Sequence, residues 1–145
     1  MVANNMSQLN AMLFQELRKA MNIASEKMLA DTYEETGKFY TGGEPKVYER
    51  TGALGDTPRT TALTTMAGNM GGVVSFDVYL DTNHNYTSGS TPSMQEVLDL
   101  ANDGIPFTTR NGYPARPVVG KGQFWQRSEK KMQKTLNQTL RKFFR

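Results

Sequence analysis

Apolar and polar positions recur along this chain with two different periods, and the change of period marks its elements. Between about Asn5 and Glu35, Leu9, Met12, Leu13, Leu17, Ala20, Met21, Ala24 and Met28 return at three- and four-residue steps, the repeat of one helix face. Gln8, Gln15, Arg18, Lys19, Asn22 and Lys27 fall largely on the other side. Neither Pro nor Gly interrupts before Gly37, the expected terminator. Such a helix is roughly 45 Å long, more than a domain of this size ordinarily needs. Its methionines make the stripe adaptable. The stripe reads first as a core face, with the sharper alternative that part of it meets another subunit.

The period then shortens to two. Val74, Phe76, Val78 and Leu80 face one way from Val73 to Asp81, and Ser75, Asp77, Tyr79 and Asp81 the other. Thr-rich Arg59 to Ala67 precedes this strand across the glycine cluster Gly68–Gly72, so the pair is expected to form a hairpin. Lys38–Glu49 reads as a linker, and Gly52 permits a turn from which Leu54 returns to the core. Ser93 and Glu96 form a capping box for a short helix ending near Asn102, closed by Gly104, with Val97, Leu98 and Ala101 inward. Ile105–Thr109 is a candidate edge strand. Tyr113-Pro114-Ala115-Arg116-Pro117 is a stiff extended bracket, because each proline fixes φ and restricts the residue before it. From about Gln123 to Phe144 the helical period resumes, with Trp125, Met132, Leu136, Leu140 and Phe143 or Phe144 apolar. Trp125 is expected to be mostly buried. The expected fold is a single α+β domain over residues 1–145: a long N-terminal helix (1–36) packed on a small antiparallel sheet with loops and the short helix (47–112), then the bracket (113–122) and a basic C-terminal helix (123–145).

Charge changes that picture at the end of the chain. Residues 1–120 carry nine Lys/Arg and thirteen Asp/Glu, net −4, whereas residues 121–145 carry eight and one, net +7. Opposite signs on body and tail suggest self-association between copies or an anionic partner for the tail. The candidate inter-subunit cations are Arg127, Lys130, Lys131, Lys134, Arg141 and Lys142. Cysteine is absent, which excludes disulfides and thiolate metal sites. No apolar run approaches the roughly 20 residues needed to span a bilayer, and no signal peptide is apparent, so no membrane partner is expected.

Motifs for chemistry fail on inspection. Ser128-Glu129-Lys130-Lys131 matches S-x-x-K without its partner motifs. Gly120-Lys121-Gly122 lacks the third glycine and the βαβ setting of a dinucleotide site. Asp81-Thr82-Asn83-His84-Asn85 opens like a calcium loop, but Tyr86 replaces its glycine and Pro92 its glutamate. His84, the sole histidine, has no activated nucleophile or second histidine beside it. The sequence therefore predicts no enzyme, no metal and no cofactor. The basic helix carries enough Lys/Arg for nonspecific DNA contact, but its cations look spread around the helix and no nucleic-acid-binding signature accompanies them.

Taken in order, Arg50-Thr51-Gly52-Ala53-Leu54 after a long helix, a β-rich middle, and Tyr113-Pro114-Ala115-Arg116-Pro117-Val118-Val119-Gly120 before a last helix resemble the tail-completion, or head–tail joining, proteins of tailed bacteriophages. In that family an R-T-G-x-L element opens the sheet and a P-A-R-P-F-L-G-like element leads into the last helix. The likeness covers about residues 5–145, with Val118-Val119 standing where an aromatic-leucine pair is usual. It implies a structural virion protein at the neck or tail end, made in the host cytoplasm and closing a ring, commonly sixfold. Such a ring contacts connector or adaptor and tail-tube or terminator proteins. The motif residues carried over are Arg50, Thr51, Gly52, Leu54, Pro114, Arg116 and Pro117, with Arg50 and Arg116 implied as carbonyl or carboxylate clamps. The alternatives are another phage connector or tail protein, or a small nucleic-acid-binding protein using residues 121–145.

Overall fold

A computed structural model describes residues 2–43, 52–68, 71–83, 94–104 and 120–145. In chain order it contains α1 (Met6–Lys38), a 3₁₀ turn (Phe39–Gly42), β1 (Pro58–Thr60), β2 (Thr64–Gly68), β3 (Gly71–Ser75), β4 (Val78–Leu80), α2 (Met94–Asp103) and α3 (Phe124–Phe143). This is the α+β arrangement that the two periods predict.

α1 starts where its sequence offers a cap. The Asn5 side chain accepts from the Gln8 N–H at 2.9 Å, while the Gln8 side chain accepts from the Asn4 N–H at 2.8 Å. One donor that the helix start leaves orphaned, the Gln8 N–H, is thus satisfied, and the second bond ties the residue before the cap to the first turn. Gly37 does not end the helix as expected. The helix passes through it to Lys38 and tightens into the 3₁₀ turn, and the chain departs at Gly43 with φ 118°. Continued winding is what delivers Phe39, a residue the pattern assigns to a linker, into the core.

That core lies at the C-terminal end of α1. Phe39, Leu54, Leu98, Ala101 and Phe124 are buried together, with Tyr40, Ala53, Leu80 and Trp125 packed on them. The Phe39 ring meets Tyr40 and Phe124 edge-on, at centroid distances of 5.6 and 6.1 Å, the orientation that the ring quadrupoles favour. Gly120 lies directly against this cluster, where an added Cβ would overlap the Phe39 ring. Lys121 N–H donates to the Phe39 carbonyl at 3.0 Å, and Gln123 N–H donates to that of Asn102 at 2.6 Å. The Gly-Lys-Gly run is therefore a close backbone approach between the end of α1 and the start of α3.

The stretch Val73–Asp81, expected as one strand, is interrupted. β2 and β3 pair antiparallel from Thr64↔Ser75 to Gly68↔Gly71, and β1 and β4 pair from Pro58↔Leu80 to Thr60↔Val78. Between the two ladders three residues, Thr61, Ala62 and Leu63, oppose only Phe76 and Asp77. One extra residue on one strand is the count of a β-bulge, and it switches which positions face inward. Pro58 and Thr60 face inward before it, Leu63 after it. At the break Thr61 supplies its hydroxyl in place of its carbonyl, accepting from the Asp77 N–H at 2.8 Å. The predicted alternation survives: Val74 is buried, Phe76, Val78 and Leu80 are half-buried, and Ser75, Asp77 and Tyr79 are exposed. Gly68, Gly71 and Gly72 are strand residues rather than the turn itself. Gly72 lets the hairpin lie on α1, since a Cβ there would overlap the Phe14 ring.

α2 and α3 fall within a residue or two of expectation, and Gly104 closes α2 with φ 70°. The buried face of α3 is a correction. It consists of Phe124, Ser128, Met132 and Thr139, while Trp125, Leu136, Leu140 and Phe143 are only half-buried. Trp125 sits at the rim of the core and Phe124 fills its centre. The Ser93 cap, the Ile105–Thr109 strand, His84 and the proline bracket through Val119 lie outside the described residues.

Candidate functional site

The α1–α3 seam is polar for a helix pair. Ser25, Thr32, Glu35 and Thr36 are buried on α1, and Ser128 and Thr139 on α3. Most of these hydroxyls bond back to their own helix. Thr32 donates to the Met28 carbonyl at 2.9 Å, Thr36 to Thr32 at 3.0 Å, and Ser128 to Phe124 at 2.8 Å. Their polarity is thereby met locally, and small side chains remain at the contact.

An ionic clasp closes one end of the seam. Glu35, 4% exposed, takes the Arg127 Nε on one oxygen at 2.7 Å and the Lys38 Nζ on the other at 2.6 Å. Arg127 also donates to the Gly122 carbonyl, which ties α3 to its own lead-in. Lys131 reaches Glu34 and lies 3.7 Å from Asp31, whose other oxygen accepts from Thr135. Burial pushes Glu35 upward, but the hydrogen bonds from Lys38 and Arg127 outweigh it and hold its pKa below the ordinary value. Hydrogen bonds from Lys131 and then Lys38 draw Glu34 down to about 2. Lys38 is raised in turn by its bonds to Glu35 and Glu34. One buried Arg127 nitrogen, Nη2, has no hydrogen-bond partner. Glu34, Glu35 and Lys38 thus keep their charges at neutral pH, and the clasp holds α3 against α1.

This clasp divides the six candidate inter-subunit cations. Arg127 and Lys131 pair with acids of their own chain, so body and tail charges meet within one molecule here. Lys130, Lys134, Arg141 and Lys142 are exposed. Of the motif residues, Gly52 has the positive φ expected, 77°, and opens a turn in which the Gly55 N–H donates to the Gly52 carbonyl at 2.9 Å. Leu54 is in the core. Arg50, Thr51, Pro114, Arg116 and Pro117 lie outside the described residues. Sequence reasoning missed Glu35, Phe39 and Phe124. Asp31 and Glu35 stand four apart, as do Arg127 and Lys131, which places each pair on one helix face, but Lys130 and Lys134 share that spacing, so no sequence signal singled the clasp out.

The first turns of α1 extend beyond this packing. Met6 is 70% exposed and Leu13 47%, with Leu9 beside them and Val2 just before the helix. No charged residue precedes Glu16. The opposite side of the same turns, at Ser7, Ala11 and Phe14, faces the glycines of the β2–β3 hairpin. A separate open cleft of about 690 Å³ is lined by Gln15, Arg18, Asn22, Leu63 and Phe143, with no carboxylate or histidine among the described residues that line it.

Among the described residues no group of three or more His, Asp or Glu side chains is placed to hold a metal, and no helix is long and apolar enough to cross a membrane. Fold and site together define a small α+β protein whose distinctive features are surfaces: an uncovered apolar helix end and a basic helix face. The chain belongs to the YomN family, whose model matches residues 5–145. The family name is that of a phage-associated protein of the Bacillus prophage type, in agreement with the phage origin implied by the resemblance. No curated protein and no solved structure matches the chain.

Proposed function

We propose that this chain is a structural virion protein of a tailed bacteriophage, a ring-forming tail-completion or head–tail joining component at the neck or tail end. The observation that carries the reading is the uncovered apolar start of α1. Val2 just before the helix and Met6, Leu9 and Leu13 on its first turns stay exposed, whereas its later turns are packed. An exposed apolar patch on a small protein marks a place where another surface comes to rest. The order of the R-T-G-x-L and P-A-R-P elements and the phage-associated family support the same reading. Catalysis plays no part in it: the work is shape-matching and closure of a symmetric assembly.

Three carboxylates of the body, Glu34, Glu35 and Asp31, are engaged by α3 of their own chain, so these three are not what joins one copy to the next. The apolar end of α1 is the contact between copies in this reading, with Arg50 and Arg116 as the carbonyl or carboxylate clamps that the resemblance implies. Light scattering and negative-stain microscopy on the purified chain test this. The expected result is a discrete closed ring, or a monomer that assembles once tail tubes are added. A chain that stays monomeric with tubes present and is missing from purified virions would refute it.

A further inference from the structure

The cations of α3 appear scattered in sequence, but the structure sorts them. Arg127 and Lys131 turn to the seam and are neutralised by Glu35, Glu34 and Asp31. Lys130, Lys134 and Arg141 follow at steps of four and seven residues on the side away from Met132 and Thr139, and Arg145 continues the line just past the helix end. All four are exposed, and among the described residues none makes an ion pair. Gln133, Asn137 and Gln138 fill the exposed positions around them, Lys142 flanks them, and Glu129 is the single carboxylate of α3.

We infer that this outer face of α3 binds the phosphate backbone of duplex DNA without reading its sequence. Three properties select that partner. The uncompensated charge is of one sign and arranged in a line, which suits a polyanion. Lys, Arg, Asn and Gln are the side chains that donate to phosphate oxygens. Between Glu129 and Lys142 the exposed positions carry no apolar or aromatic residue, whereas a protein partner would ordinarily require an apolar anchor at the centre of the contact. From Lys130 to Arg141 the helix rises roughly 16 Å, a length over which a duplex presents about ten phosphate charges. The inference is independent of ring formation, because it concerns a face that the clasp leaves outward in a single copy.

Fluorescence anisotropy with two labelled duplexes of unrelated sequence tests it on the full chain. Both duplexes should bind alike, and affinity should fall about a hundredfold between roughly 50 and 200 mM salt, as release of about four counterions requires. The triple variant K130Q/K134Q/R141Q should make the slope of log affinity against log salt shallower by about 3. The variant R18Q/K19Q/R59Q loses the same charge on α1 and β1 and should leave the slope unchanged. Unchanged circular dichroism confirms that both variants fold. Absence of binding by the wild-type chain at low salt would overturn the inference, as would an equal effect of the two variants or a clear preference for one sequence. So would sedimentation showing a low-salt oligomer, formed without DNA, that K130Q/K134Q/R141Q dissolves, since the face would then belong to a second copy.

Discussion

Glu35 shows how much one side chain decides. It is a buried carboxylate whose two oxygens are shared between Lys38 on its own helix and Arg127 on α3. Removing one member of a buried pair leaves the other desolvated and uncompensated, which costs about 3–5 kcal/mol in a closed interior. Here Arg127 keeps the Gly122 carbonyl and Lys38 keeps access to water, so Glu35→Ala should destabilise by less, about 2–3 kcal/mol. Urea denaturation of the purified variant measures this. A loss under about 0.5 kcal/mol, the range of ordinary surface substitutions, would show that the clasp does not hold the helices. Arg127 Nη2 is already unpaired, so the variant would leave the guanidinium with a single carbonyl.

At the scale of elements, the same clasp makes the α1–α3 pair sensitive to acid. The folded pKa of Glu34 is drawn down to about 2 and that of Glu35 is lowered as well. A depressed carboxylate contributes stability above its unfolded pKa, near 4.5, and loses it as pH falls through the folded value. Lys38 works at the other end: its raised pKa contributes below the ordinary 10.5 and is lost as pH climbs past the folded value. Glu34 is largely exposed, so most of the acid sensitivity falls to Glu35. The melting temperature should fall as pH drops below about 4.5, and E34Q/E35Q should flatten that fall; circular dichroism melts at several pH values would show it. Parallel wild-type and variant profiles would count against the clasp. The extents of the helices were legible to within a few residues because their cues are local: Gly104 behind α2 and the three- and four-residue stripes of α1 and α3. The bulge was not, since Thr61–Leu63 and Phe76–Asp77 look unremarkable until the two ladders are set in register.

On the scale of the whole molecule, packing is concentrated at one end of α1 and charge at one face of α3. The apolar residues at the other end of α1 contribute little to folding, because they stay largely in water. M6Q/L13Q should therefore change stability by less than about 1 kcal/mol while abolishing assembly in the light-scattering measurement. If the variant assembles as the wild type does, the contact between copies lies elsewhere.

By itself the sequence determined the helices, the alternation of the hairpin and the exclusion of thiol chemistry, because each depends on residues a few positions apart. It also carried the order of motifs whose implied phage origin agrees with the family match. Only the tertiary structure decided which charges remain free. Ion pairing acts through space, and nothing along the chain distinguishes Arg127 and Lys131 from Lys130 and Lys134 until α1 lies beside α3. The same holds for the core: Phe39 and Phe124 are 85 residues apart, and glycines at positions 42 and 120 are what allow the two backbones close enough for those rings to meet.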